Sequence, residues 1–188
     1  MRPLLLLLAA LLAIAPAAHA RRQVVTDPSL PRELPADGAV SVHWSDPAQF
    51  TELRLTHNRW AAERGDWVTD LARHLQRQAN ARLPPGQAMD VAITDIKLAG
   101  DFEPWLGVNY SDVRVLRDIY PPRMTVQVRI TGPDGQVLAE GERRLSDMGY
   151  LQSSLPLNSD PLRHEKRMID DWLRRELPTS PATGQASR

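Results

Sequence analysis

Apolar and polar residues alternate most clearly between residues 124 and 130, where Met, Val, Val and Ile occupy every second position. This period of two is typical of a strand with one apolar face. A Gly-Pro-Asp-Gly sequence at 132–135 follows, and residues 136–145 can return as the partner strand. The pattern predicts an antiparallel hairpin with one face exposed to water, in which Gly135 needs a positive φ.

Two further strands are predicted upstream of the hairpin. Residues 40–44 alternate in the same way and open the domain on a strand with one apolar face. Residues 89–98 carry apolar side chains at both odd and even positions, which predicts a central strand covered on both faces. Residues 113–116 are long enough for a short strand, whereas residues 100–112 are predicted to form a loop.

Two segments have the period of an amphipathic helix. Trp67, Leu71 and Leu75 are spaced by four from Asp66 onward, and a Pro-Pro-Gly sequence at 84–86 ends that helix. Near the other end, Asp160 is expected to cap a helix with Pro161 in its first position. The buried stripe of this second helix is predicted to consist of Leu162, Ile169, Trp172 and Leu173. Residues 50–64 give no clear pattern.

This order of elements predicts an α+β fold, with a mostly antiparallel sheet and two main helices packed on one face. The globular domain is placed at residues 39–177. Residues 21–38 are rich in Pro and poor in apolar side chains, so we expect an extended lead-in. Residues 178–188 have no apolar period and are expected to form a disordered tail.

The first 20 residues have the pattern of a secretory signal peptide. One basic residue, Arg2, precedes a run of Leu and Ala at 4–15, and Pro16 is followed by the small residues of an Ala-His-Ala site. The run is too short to span a bilayer, which takes about 20 residues. We therefore expect cleavage after Ala20, a periplasmic mature protein and no stable membrane insertion.

Charge and cysteine content exclude several function classes. The chain has 23 basic and 23 acidic residues, so it lacks the basic surface expected of a nucleic-acid-binding protein. It contains no cysteine, which excludes thiol catalysis, a lipidated N-terminal Cys and zinc sites built on thiolates.

The sequence contains no Gly-rich phosphate loop and no Gly-x-Ser-x-Gly elbow, so we expect no cofactor and assign no catalytic residue. His164-Glu165 begins like a zinc-protease helix, but Met168 occupies the position of the second histidine. No metal site is predicted. The four histidines outside the leader are expected at the surface or its boundary: His43, His57, His74 and His164.

Charged residues concentrate around the predicted central strand and the last helix. Asp95 is expected on the same face of its strand as Val91 and Ile93, and Glu165 falls in the middle of the apolar stripe. A carboxylate buried there needs a partner. The candidate polar cluster comprises Asp95, Asp101, Arg114, Arg117, Arg123, Asp147 and Glu165, with Glu103 beside it. A structural Arg–carboxylate network is favoured over an acid–base pair or an anion-binding arginine cluster.

Four segments resemble a known family: residues 95–100, 120–123 and 145–148, and Glu165-Lys166 together with Trp172. They are similar to domain of unknown function family 3016, whose members are exported proteobacterial proteins of about this size. The resemblance extends from Val40 to Leu177. It implies a periplasmic location and a single domain, and it implies no activity.

Three functions remain open for such a chain. The favoured one is a non-enzymatic binding or envelope-support module whose partner is an envelope protein or a small molecule. The second is a small hydrolase or metal-assisted enzyme built on Asp95, Asp101, Asp147 and Glu165. The third is a small-molecule carrier that uses a loop with apolar and aromatic side chains, for which the candidates are Phe102, Trp105 and Tyr110.

Overall fold

The structure is a computed structural model, and it describes residues 23–152 and 159–177. The predicted signal peptide and the predicted tail at 178–188 lie outside the described residues.

A four-stranded sheet forms one layer of the domain. Its strands are β1 (Val40–Trp44), β2 (Ala88–Lys97), β5 (Arg123–Thr131) and β6 (Val137–Ser146), in the spatial order β1-β2-β5-β6. β1 runs parallel to β2, and the other two pairs are antiparallel. Two short strands, β3 (Asp101–Phe102) and β4 (Arg114–Val115), pair with each other beyond the end of β2.

The helices form the second layer and lie on one face of the sheet. They are α1 (Thr51–Leu55), α2 (Arg59–Ala62), α3 (Trp67–Asn80) and α4 (Arg163–Glu176). α3 packs against β1 and α4, and the buried apolar residues of the large sheet face this layer. The opposite face of the sheet carries mainly polar side chains. The helices and the mostly antiparallel sheet confirm the predicted α+β fold. Within the described ranges, no helix has the length and apolar content needed to cross a membrane.

A bulge in β2 explains why the prediction of a doubly covered strand is wrong. The register with β5 shifts between Ile93 and Asp95. Ile93 pairs with Val126 on the core side, whereas Asp95 pairs with Thr125 on the opposite side. The extra residue returns the odd and even apolar positions of β2 to a single buried face. Asp95 therefore does not share the face of Val91 and Ile93, which corrects the second expectation for this strand.

The hairpin of β5 and β6 agrees with the prediction. Gly132 N–H donates to the carbonyl of Gln136 at 2.9 Å, and Gly135 N–H donates to the carbonyl of Gly132 at 2.9 Å. Gly135 has a φ of 75°, in the left-handed region that glycine adopts without cost.

The last helix begins two residues later than predicted. The Asp160 carboxylate accepts the Leu162 N–H at 2.8 Å and stabilises a turn that includes Pro161. The helix itself starts at Arg163. All four residues of the predicted apolar stripe are buried.

The lead-in packs along β1, although it contains no named strand in its described part. Leu34 N–H donates to the carbonyl of Val42 at 3.0 Å, and Trp44 N–H donates to the carbonyl of Arg32 at 2.8 Å. Further upstream, Val25 is buried in the core. The lead-in therefore covers the outer edge of β1.

Candidate functional site

A buried carboxylate on α1, Glu52, holds the chain that follows β2. Its Oε2 accepts hydrogen bonds from Lys97 Nζ and from the Leu98 N–H, both at 3.0 Å, and its Oε1 accepts one from the Arg114 guanidinium. Glu52 has no exposed surface, so these donors compensate a charge that would be costly to bury alone. The contacts join α1, β2 and β4 at one corner of the domain.

A second buried carboxylate, Glu103, fixes the loop after β3. Arg117 forms a bidentate pair with it, donating at 2.9 Å from Nε and at 2.7 Å from Nη2. The Tyr120 hydroxyl donates to the same carboxylate at 3.0 Å. The hydrogen bonds from Arg117 hold the pKa of Glu103 below its usual range, despite burial. Glu103 is therefore a structural anion that anchors the loop.

Gly100 allows β4 to approach the segment that follows β2 closely. Its φ is +77°, and a Cβ at this position would lie 2.6 Å from the Val115 carbonyl oxygen. The Gly100 carbonyl accepts hydrogen bonds from Lys97 Nζ at 3.0 Å and from Arg114 Nη1 at 3.1 Å. The Arg114 guanidinium also lies over the Phe102 ring, 4.7 Å from its centroid.

Glu165 is buried on α4, but it does not form the expected pair with an arginine. Its Oε1 accepts the Ala99 N–H at 2.6 Å, and its Oε2 has no hydrogen-bond partner within the described residues. The physical reason is competition, because the Arg114 guanidinium is already engaged by Glu52. Burial raises the pKa of Glu165, and the nearby charges of Arg114 and Glu52 act in opposite directions.

This raised pKa predicts a pH-dependent stability. An acid whose pKa is raised by folding contributes stability that is complete below its unfolded pKa and is lost as the pH rises through the folded pKa. The variant Glu165→Gln cannot ionise. The parent should therefore lose stability relative to Glu165→Gln as the pH rises from about 4 to about 8. The free energy of unfolding of the variant minus that of the parent should increase over this range.

Urea unfolding at a series of pH values measures this difference. Glu63→Gln is the control, because Glu63 forms a surface pair with Arg59 on α2. A difference between Glu165→Gln and the parent that stays constant over the pH range would contradict the prediction.

A pocket of about 400 Å³ lies next to Glu165. One side is formed by the chain from α2 into α3, including Ala61 and Trp67, and the other by the chain after β2 and by the start of α4. Three of the candidate residues from the sequence line this pocket together, namely Phe102, Arg114 and Glu165. Its walls combine apolar and charged side chains, as is common in sites for small molecules.

The candidate carboxylates on and after β2 have local partners. The Asp95 carboxylate accepts from the Thr51 N–H and hydroxyl, each at 2.6 Å, and so holds the start of α1. Asp101 is buried, and its Oδ1 accepts the Phe102 N–H at 2.8 Å. Its Oδ2 lies 3.9 Å from Lys97 Nζ. Neither carboxylate lines the pocket.

Two other candidates lie outside the pocket. Arg123 is exposed on β5 and has no ion-pair partner in the described part of the chain. Asp147 accepts the Gly149 N–H at 3.1 Å, and its other oxygen lies 3.4 Å from Arg167 on α4. The structure therefore does not bring all the candidate residues into one cluster.

The candidate aromatic loop divides into a buried and an exposed part. Phe102 is buried under Arg114, whereas Trp105 and Tyr110 are 60% and 53% exposed. The Trp105 indole meets the His57 ring edge-on, with 5.2 Å between the ring centroids. Asn58 ties the same loop to α2, because its side-chain amide donates to the Ser111 carbonyl at 2.8 Å.

His164 is buried, so its predicted position at the surface or its boundary is wrong. Its ring meets Tyr150 edge-on at 4.8 Å, and burial lowers the pKa of His164. His164 lies outside the apolar stripe predicted for α4, and the turn that carries Tyr150 covers that side of the helix. His74 lies at the boundary as expected and contacts Asp170 at 2.8 Å, while His43 and His57 are exposed.

Sequence reasoning missed Glu52 and the pocket residues on the adjoining helices, such as Trp67. Residues 50–64 have no clear period, so nothing marked Glu52 as buried. One available signal was Lys97, a cation at the end of an apolar strand, which requires a carboxylate if it is buried. Among the described residues, no three His, Asp or Glu side chains are grouped so as to hold a metal ion.

Comparison with known proteins places the chain in a family. No curated protein matches it. The family described as "Protein of unknown function (DUF3016)" matches residues 38–175, which include the large sheet and nearly all of α4. This match agrees with the resemblance carried by the four sequence segments. The chain belongs to this family.

Proposed function

We propose that this protein is a non-enzymatic binding module that holds a small molecule in the pocket beside Glu165. The observation that carries the proposal is that Glu165 lines the pocket and that its buried Oε2 has no hydrogen-bond partner within the described residues. Buried polar atoms are normally hydrogen-bonded, so an unpartnered one at a pocket favours a ligand that completes it.

The positions of the carboxylates favour binding over hydrolysis. General acid–base catalysis needs two titratable groups that reach the same reacting atoms. Of the four carboxylates considered for an enzyme, only Glu165 lines the pocket. Asp95, Asp101 and Asp147 lie outside it, and each accepts a backbone N–H from a neighbouring residue in the fold.

The proposal includes export to the periplasm. It is supported by the apolar run at residues 4–15 and by the small residues that precede Arg21. Cell fractionation and N-terminal sequencing of the mature protein test the location. Recovery of the chain with Met1 intact in the cytoplasm would overturn this part of the proposal.

Closing the pocket tests the binding function. Ala61 lines the pocket from α2 and is partly exposed, so Ala61→Phe should fill the space without a buried clash. The probe is N-phenyl-1-naphthylamine, an uncharged dye that fluoresces in apolar sites. We expect saturable binding by the parent and a loss of about tenfold or more in affinity for Ala61→Phe.

The matched control is Ala92→Phe, because Ala92 is similarly half-buried but lies on the open face of the sheet. It should change the affinity by less than about twofold. If Ala61→Phe does not fold, the smaller substitution Ala61→Leu replaces it in the dye titration. Equal dye affinity in the pocket variants and the parent would overturn the proposed function.

A further inference from the structure

We infer that the ligand of this pocket is an organic ammonium whose charged group pairs with Glu165 while its apolar body occupies the rest of the pocket. The inference rests on the proposed function and adds the chemical class of the ligand.

One carboxylate oxygen of the pocket residue Glu165 has no hydrogen-bond partner among the described residues. Oε1 is engaged by the Ala99 N–H at 2.6 Å, whereas Oε2 has no partner among the described residues. The side chain is 2% exposed, so water does little to solvate it. An ammonium group would supply both a hydrogen-bond donor and the counter-charge that a buried carboxylate lacks.

The cations that line the pocket have other partners. The Arg114 guanidinium is paired with Glu52 and also donates to the Gly100 carbonyl. The Arg64 guanidinium lies over the Trp60 indole, 4.6 Å from the ring centroid. Neither arginine contacts Glu165 within the described part of the chain.

The remaining acidic groups strengthen the preference for a cation. Asp66 lines the pocket at the start of α3, and its side chain caps no backbone N–H there. Asp70, one turn further along, also lines the pocket and lies 3.6 Å from the exposed Arg73. The pocket therefore presents carboxylates from two helices, α3 and α4, and the guanidinium of its Arg114 is paired with Glu52.

The rest of the lining suits an apolar body. Leu98, Leu162 and Pro161 contribute aliphatic surface, and Trp67 contributes an indole beside it. The Trp67 Nε1 donates to the Ala62 carbonyl at 3.0 Å, which fixes the ring in place. Aromatic rings also favour nearby cations. Hydrocarbon, aromatic and carboxylate surfaces together match an alkyl or aryl ammonium.

Three probes of equal length test the inference, namely hexylammonium, hexan-1-ol and hexanoate. Their chains have the same number of heavy atoms from end to end, and their head groups differ in charge. Titrations followed by ¹H–¹⁵N NMR report on the site directly, because the Ala99 amide is hydrogen-bonded to Glu165. We expect hexylammonium to bind about tenfold or more tightly than hexanol, and hexanoate to bind weakest.

Glu165→Gln keeps the size of the side chain and removes its charge. It should abolish the preference for hexylammonium while changing the affinity for hexanol by less than about threefold. Glu63→Gln is the control and should retain the preference. The order of the three probes on the unmodified protein provides the test if Glu165→Gln does not fold.

The two proposals fail in different ways. Equal or tighter binding of hexanol or hexanoate overturns the ammonium inference but leaves a small-molecule site in place. A preference for hexylammonium that survives in Glu165→Gln also overturns the inference, because the selectivity then comes from another group. If no probe shifts the Ala99 amide, the inference is wrong, and the dye experiment on the Ala61 variants decides the proposed function separately.

Discussion

Glu52→Ala should lower the free energy of unfolding by about 3–5 kcal/mol, the range measured when one partner of a buried ion pair is removed. The substitution leaves Lys97 and Arg114 without their shared carboxylate and removes the acceptor of the Leu98 N–H. Both cations are mostly buried, with side-chain exposures of 12% and 24%, so water compensates them poorly. Urea unfolding of the purified variant measures the loss.

Glu63→Ala is the matched control for Glu52→Ala. Glu63 forms an exposed pair with Arg59 one turn away on α2, and such pairs contribute about 0.5 kcal/mol or less. Glu52→Gln should fall between the two alanine variants, because it keeps the size of the side chain and one acceptor oxygen. A loss below about 1 kcal/mol in Glu52→Ala would show that the pair is not needed to hold this corner.

Gly100→Ala should lower the free energy of unfolding by about 2–5 kcal/mol. Part of the cost is conformational, because a φ of +77° is unfavourable for alanine. The larger part is steric, because the new Cβ would lie 2.6 Å from the Val115 carbonyl oxygen. The backbone of β4 would have to move away, which would disturb Arg114 and the pocket.

Gly135→Ala separates the two costs of Gly100→Ala. Gly135 has nearly the same φ, +75°, but no described residue other than its two chain neighbours has an atom within 4 Å of the point that an alanine Cβ would occupy there. Its substitution should therefore cost only the conformational part, about 1–2 kcal/mol. Equal losses at the two glycines, measured by urea unfolding, would show that the close approach of β4 has no energetic weight.

The sequence predicts the elements whose pattern is local. The alternation in β5, the Gly-Pro-Asp-Gly turn and the period of four in α3 each arise within a few residues, and each is confirmed by the structure. The bulge in β2 is different. Its apolar positions fit either a doubly covered strand or a strand with one extra residue, and only the pairing with β5 decides between them.

The candidate site depends on choices between partners that are distant in the sequence. Arg114 is close enough to Glu165 to act on its charge, yet it pairs with Glu52, which lies 62 residues upstream. The spacing of residues in the sequence does not predict which of the two carboxylates pairs with Arg114. The burial of His164 has a similar origin, because it depends on the turn at Tyr150 and not on the stripe of α4 itself.

The lead-in covers the outer edge of β1. The part of it that makes these contacts precedes the family match, which begins at residue 38. An unpaired outer strand invites other chains to add to the sheet. Here, Arg32 and Leu34 occupy the hydrogen-bonding groups of Trp44 and Val42 that would otherwise be available. A chain shortened to begin at Ala39 would retain the residues of every named helix and strand, yet it would lose Val25 from the core, expose this edge and tend to self-associate.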